Sequence, residues 1–359
     1  MGKPVLHQFI AGASPGDAIT DYALLLRRWL REDGFRSQIF SESVAPALVD
    51  EIQSYLGYRP SRPGETVVLH HSIGTALVDH LLSLDVKFML IYHNITPPEF
   101  VHAVDPVLAG QLDRGRAQLV QLRERTLLGL AVSAYNEAEL QRSGYVSTGV
   151  LPNALDQSQY QLEPNAALLD RYREGGPHLL FVGRLVPNKR QEDVIRLLYH
   201  YRRFEPTARL FLVGTPWMPA YAEWLQELAQ ELKMDDAVVF TGGVSQRDLV
   251  TYYQLADLYV SMSEHEGFGK PLIESMYLGL PVLAYAAAGV PGTLGGTGVL
   301  FRQKNLEALA ELVDILVSDD ALRERIVTRQ QERARCFLAP VIRQKWQAFV
   351  IRMADLVSP

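Results

Sequence analysis

Twice along its 359 residues the chain repeats one alternation: a short apolar run, a glycine or polar turn, then a longer stretch on a helical period. Strands separated by helices must pair in parallel, because each helix carries the chain back to the edge it started from. Right-handed crossovers then wind helices onto both faces of the sheet. The first half predicts strands at 5–10, 35–40, 66–70, 88–92, 129–133 and 149–151, with helices to 33 and at 45–56, 74–83, 98–128 and 135–142. A polar, Pro/Gly-containing stretch at 156–177, holding one short helix at 164–173, reads as a linker. The rhythm then restarts, with strands at 178–182, 209–213, 237–241, 258–260 and 282–285 and helices at 191–203, 219–233, 245–254, 305–317 and 319–336. The expectation is α/β: a first domain over 1–155 and a second over 156–339, each long enough to bury its own core. A last helix at 340–357, with Trp346 and Phe349 on one period, is expected to pack back on the first domain. Open parallel sheets bind ligands beyond the carboxyl ends of their strands, so two facing domains predict a cleft lined by loops of both.

Charge and composition exclude several classes. Thirty-five basic against 41 acidic residues give a net charge of −6, which argues against a general nucleic-acid binder. The single cysteine, Cys336, excludes an intrachain disulfide and fits a reducing cytoplasm. No apolar run approaches the ~20 residues of a membrane span. Met1-Gly2-Lys3-Pro4 leads straight into a strand-like run instead of a secretory leader. Basic residues do gather at Arg27, Arg28 and Arg31 and at Arg114, Arg116, Arg123 and Arg125. Solvated helix faces explain them most simply. The sharper reading is a peripheral patch for anionic lipid at the inner membrane face, with Trp29 and Leu30 as apolar partners.

Candidate chemistry sits at predicted strand ends. After strand 258–260 comes Ser263-Glu264-His265-Glu266-Gly267-Phe268-Gly269-Lys270-Pro271-Leu272-Ile273-Glu274, then Gly279 and Pro281. This is a tight loop aiming a helix N-terminus, whose unpaired amides favour anions. Glu266 and Glu274 flank it. Carboxylates there suit a ligand that carries paired hydroxyls beside phosphates. Gly183, Arg184 and Lys189 follow strand 178–182, where a fork and a point charge can clamp a diphosphate. His93, Asn94 and Thr96 end strand 88–92, and His70 and His71 end strand 66–70. Gly12 and Gly16 flank the first strand-to-helix turn without a dinucleotide fingerprint. There is no metal-ligand spacing, no Asp-x-Asp pair and no G-x-S-x-G elbow, so neutralisation of a diphosphate without metal is the economical idea.

Phe181-Val182-Gly183-Arg184-Leu185…Lys189, Leu255-Ala256-Asp257, Glu266-Gly267-Phe268-Gly269-Lys270-Pro271-Leu272-Ile273-Glu274 and Gly279-Leu280-Pro281-Val282 stand in an order that resembles the donor half of family 4 retaining glycosyltransferases. Leu151-Pro152-Asn153 resembles the same family's interdomain turn, and the likeness covers most of 150–300. It implies the GT-B fold, two Rossmann-like doubly wound domains facing across a cleft. It also implies transfer of a hexose from a nucleotide-diphosphate sugar, as co-substrate and without other cofactor or metal, to a glycan or lipid-linked acceptor. By that likeness Glu266 meets sugar hydroxyls near the anomeric centre, Glu274 the nucleotide ribose, and Arg184 and Lys189 the diphosphate. His93 meets the transferred sugar. Gly183, Gly267, Phe268, Gly269, Lys270, Pro271 and Leu272 line the donor, with Gly16 and Asn153 contributing from the first domain. Ala154 stands where the family usually has Gly, and Gly16-Asp17 where a Gly-Gly pair is common. Two other readings remain: an epimerase or hydrolase acting on the nucleotide sugar, with His93, His70 and Glu266 as acid/base groups, and a non-catalytic nucleotide-sugar sensor. Nothing in the residues sets the oligomeric state.

Overall fold

The computed structural model describes residues 3–357, so Met1 and Gly2 of the leader reading lie outside the described residues. The chain divides into two compact units. One comprises the chain up to His102, Pro106–Ala154 and the chain from Pro340 onward; the other comprises Ala103–Asp105 and Leu155–Ala339.

The first unit carries β1 (Gln8–Ala13), β2 (Ile39–Val44), β3 (Ile52–Ser54), β4 (Glu65–His71), β5 (Val86–Tyr92), β6 (Thr126–Ala131) and β7 (Thr148–Val150). They form one parallel sheet in the order β3-β2-β1-β4-β5-β6-β7. β4 is buried at all seven positions, as expected for a central strand covered on both faces. The helix Ala18–Glu32 starts at Asp17, whose carboxylate accepts from the Ile19 and Thr20 amides at 3.2 and 3.1 Å. The helix Ala339–Val357 packs in this unit. Trp346 is fully buried, the Phe349 ring lies against Gly149, and Arg343 pairs with Glu32 and Asp33 at 2.6 and 3.0 Å.

The second unit carries β8 (His178–Val182), β9 (Arg209–Val213), β10 (Val238–Gly242), β11 (Leu258–Ser261), β12 (Val282–Tyr285) and β13 (Val299–Phe301). Its parallel sheet runs β10-β9-β8-β11-β12-β13. In both units the strand order reverses once, between β1 and β4 and between β8 and β11. Loops leaving those neighbouring strands diverge, and the gap they open is where doubly wound sheets take ligands.

Several expectations are corrected. The helix predicted at 45–56 is instead a 3₁₀ turn at Pro46–Leu48, the edge strand β3 and a second 3₁₀ turn at Tyr55–Gly57. Val49 and Leu56 are 58% and 61% exposed, so no apolar stripe existed there to bury. Ile52, which is buried, pairs with Ile39. The first two strands lie about three residues later than predicted, because Val5 makes only an isolated bridge to Arg36 and β1 continues through Gly12. β13 and a short helix at Val290–Leu294 emerge from a glycine-rich run that had no readable period.

The apolar half of the lipid-patch reading is corrected as well. Trp29 and Leu30 are 4% and 0% exposed, and Arg27, 7% exposed, is paired with Glu51. Arg114 pairs with Asp79, Arg116 reaches Glu139 at 3.0 Å, and Arg125 caps the Leu84 carbonyl at 2.6 Å. Trp29 and Leu30 therefore belong to the core and are not the apolar partners of a surface patch. No described helix is long and apolar enough to cross a membrane.

Candidate active site

At the β8–β11 switch point of the second unit, two strand-end loops lock together. Gly183 leaves β8 at φ +152° and its N–H donates to Val213 O at 2.9 Å. Gly214 leaves β9 at φ +154°, so close to this turn that an added Cβ would stand 1.9 Å from the Gly183 carbonyl oxygen. Beyond Arg184 the chain makes a 3₁₀ turn at Pro187–Lys189, and Arg190, at φ +55°, sets the start of the helix Gln191–Tyr201. The second loop, 262–269, docks onto that turn through backbone. The Glu264 N–H donates to Asn188 O at 2.9 Å, and Asn188 Nδ2 donates to His265 O at 3.1 Å. This clamp brings Lys189 Nζ into an ion pair with Glu266, both side chains being mostly buried.

Further charges hold the clamp from behind. Arg190 pairs with Glu192, Asp193 and Glu264 at 3.1, 3.2 and 3.4 Å. Lys304 bridges Asp193 and Glu264 at 2.8 and 2.7 Å and lies over the Tyr285 ring. Each of these carboxylates therefore has a cation, as buried charge requires. On the other side the Gly289 N–H donates to Glu266 O at 2.8 Å, and Thr293 Oγ1 to Phe268 O at 2.6 Å. Glu266 thus stands on a backbone braced from two directions. Arg184 is exposed, its guanidinium 4.9 Å above the exposed Trp217 ring.

Gly269, at φ +82°, turns the chain into the helix Lys270–Leu278, which Gly279 closes at φ +77°. Pro271 has no N–H and the Leu272 N–H donates to Gly269 O at 3.0 Å, so these two shape the terminus instead of supplying donors. Phe268 turns its ring inward, edge-on to Phe337 at 5.5 Å. Glu274 is 3% exposed. Its two oxygens accept from Tyr160 and Tyr253 hydroxyls at 2.6 and 2.7 Å, with Lys270 Nζ at 3.6 Å. Burial and the nearby Glu274 carboxylate push the Tyr253 phenol well up, so it stays a hydrogen-bond donor.

In the first unit His93 follows β5, and its Nε2 lies 2.9 Å from Nδ1 of His70 at the end of β4. His70 Nε2 lies 3.0 Å from Gln8 Oε1 of β1, and His71 Nε2 donates to Gly115 O at 2.9 Å. Asn94, at φ +80°, donates to Asn136 Oδ1 at 3.0 Å and Glu139 Oε2 at 3.1 Å, which fixes the turn after His93. Gly16, at φ +74°, forms the turn that delivers Asp17 to its helix cap. Asn153 Oδ1 is buried without a hydrogen-bond partner, next to Pro152 whose carbonyl accepts from Tyr22 at 3.0 Å.

Burial holds all three histidines neutral. His70 lies well below its ordinary range, and His71 and His93 are pushed down to about 4, with Asp17 opposing the shift at His93. In the unfolded chain these rings take protons near 6.5. Between those values the unfolded state binds more protons, so stability falls as pH drops below about 6.5, and the contribution of His71 and His93 is complete near 4. The apparent Tm is expected to drop by at least about 5 °C across that window. A thermal melt followed by circular dichroism that stays flat from pH 6.5 to 4 contradicts it.

Residues 171–333 match the family described as Glycosyl transferases group 1. That stretch belongs to the glycosyl transferases group 1 family. Over 219 residues the chain is 29% identical to the GDP-mannose-dependent alpha-(1-6)-phosphatidylinositol monomannoside mannosyltransferase of Mycobacterium tuberculosis, covering 58% of this chain and 54% of that protein. The chain thus spans about half the length of the curated relatives it matches. Among solved structures, the sucrose-phosphate synthase of Thermosynechococcus elongatus superposes with a TM-score of 0.78 at 19% identity, over 98% of this chain and all of that one. Anabaena HepE, solved with UDP-glucose, superposes at 0.74 with 18% identity, over 97% and 99% of the two chains. The fold is GT-B, two Rossmann-like domains.

Arg184, Lys189, Glu266 and Glu274 all fall within the glycosyl transferases group 1 stretch, while Gly16, His93 and Asn153 lie in the other unit. The reading of the residues missed Tyr160, which lies 114 positions from Glu274 in a segment taken for linker. It also missed Asn188, Trp217 and Lys304. Only the sequence position of Asn188, beside Lys189 in a strand-end loop, could have pointed to it.

Proposed function

We propose that this chain transfers a hexose, such as mannose or glucose, from a nucleotide-diphosphate sugar to a hydroxyl of a glycan or lipid-linked acceptor. The transfer retains anomeric configuration and uses no metal. The observation that carries the reading is the Lys189–Glu266 pair, clamped at a switch point on the loop that leads into the helix Lys270–Leu278, within the family stretch. As the glycosidic bond breaks, the departing nucleotide diphosphate gains negative charge. Lys189 and Arg184, with the amides around Gly269, stabilise that charge more in the transition state than in the ground state. The anomeric carbon becomes oxocarbenium-like, and Glu266 supports it through the sugar hydroxyls. The acceptor oxygen bonds to that carbon from the face the phosphate leaves, and its proton passes to the departing phosphate oxygen. Glu274 meets the ribose by exchanging one tyrosine hydroxyl for a ribose hydroxyl. The GDP-mannose named for the mycobacterial relative and the UDP-glucose of HepE set the first donors to try.

The test is product analysis with UDP-, GDP- and dTDP-sugars and candidate acceptors. One donor is expected to give a glycoside of retained configuration, at a rate unchanged by EDTA. An epimer or free sugar without glycoside, an inverted product, or stabilisation by nucleotide without turnover overturns the reading.

A further inference from the structure

Strands β1 and β4 and the turn just past β5, neighbours in the first unit, line up one side chain each in a row: Gln8, His70 and His93. Gln8 and His70 are 0% and 2% exposed. The row has one anchor that cannot be reversed. Gln8 Nε2 lies 3.0 Å from the Ala23 carbonyl, which can only accept, so the amide orientation is set. Its Oε1 therefore faces His70 Nε2 at 3.0 Å and must receive a proton from it. Neutral His70 then keeps a bare Nδ1, and the 2.9 Å contact from that atom to His93 Nε2 needs a proton from His93. Tyr22 closes the row, its ring edge-on to both imidazoles at 6.4 and 6.2 Å and its hydroxyl tied to Pro152 O.

We propose that Gln8 and His70 are positioning residues that fix His93 as its Nε2–H tautomer, so that Nδ1 accepts a hydrogen bond from a hydroxyl of the sugar substrate. The inference rests on the reading that His93 meets the sugar. Groups facing the ring agree with a neutral acceptor: burial dominates, His71 disfavours a charge and Asp17 partly opposes them. Should His93 take a proton, it goes onto Nδ1, without disturbing the bond to His70.

Long-range proton–nitrogen NMR of the full chain, labelled with ¹⁵N-histidine and assigned by loss of signals in His93→Gln, reads the tautomer directly. Wild type at pH 7 is expected to show a protonated Nε2 and a bare Nδ1 at His93. Gln8→Leu, which removes the anchor and leaves the buried His70 Nε2 without its partner, is expected to give a mixture of tautomers, to lower kcat by about tenfold and to lower the apparent Tm. A bare Nε2 in wild type, or Gln8→Leu with unchanged tautomer or unchanged kcat, overturns the proposal. The wild-type spectrum judges the row even if the variant does not fold. If no nucleotide sugar is turned over while the tautomer is fixed and lost as stated, it is the transferase reading that fails.

Discussion

Replacing Lys189 by Ala is expected to lower kcat for transfer by at least about a hundredfold while the secondary structure remains intact. Lys189 is held by Glu266 in the protein without donor, and both side chains are mostly buried, at 20% and 16% exposure. A diphosphate arriving there competes for the same ammonium, so the lysine changes partner without being resolvated. Its removal takes away a fixed positive charge where negative charge develops, and that loss is felt mainly in the transition state. Glu266→Ala is expected to lower kcat comparably, since the carboxylate aims Lys189 and, in the proposed mechanism, meets the sugar hydroxyls. The two losses should not add. In the double variant neither charge is stranded, so the combined effect is expected to fall short of the product of the single ones. Steady-state product formation for the four proteins checks this, with circular dichroism as the fold control. Single variants that keep more than half of wild-type kcat would sink the assignment of this loop pair.

Gly214→Ala is expected to be the most destabilising single-methyl change at the site, by about 3 kcal/mol or more. The added Cβ would stand 1.9 Å from Gly183 O and 2.6 Å from its carbonyl carbon, and the residue sits at φ +154°. The obstacle is backbone, so no rotamer change can relieve it. Either β9 ends differently or the Gly183–Arg184 turn moves, and both disturb the anchoring of Leu185 N–H on Thr215 O. An apparent Tm lower by about 6 °C or more is expected, and weaker binding of nucleoside diphosphate with it. Thermal melts and calorimetric titration measure the two. A variant matching wild type in both would show that these loops are not packed as described.

Much of this was legible in the residues, for identifiable reasons. Alternating apolar runs and helical periods specify parallel pairing, and the family-like motifs stand at strand ends, where doubly wound sheets place function. Local signals failed where the period was short or absent. Glycines around β13 hid a three-residue strand, and the 45–56 region had the composition of a helix without its apolar stripe. The basic residues near Trp29 misled for a related reason: composition cannot say which face of a helix points inward. The burial of Trp29 and Leu30 settles that.

What the sequence determined by itself was the fold class, the two-part rhythm and the identity of the chemical groups at the strand ends. Those rest on near-neighbour periodicity and on turn residues such as Gly269 and Gly279, whose positive φ is a local property. Only the tertiary structure decided how the groups are employed. It pairs Lys189 with Glu266 across 77 residues, caps Glu274 with Tyr160 across 114, and lines Gln8 up with His70 across 62. The physical reason is that hydrogen bonds and ion pairs act through space over a few ångströms. Which side chains come that close is set by strand order and by the packing of loop on loop, which no stretch of sequence contains alone.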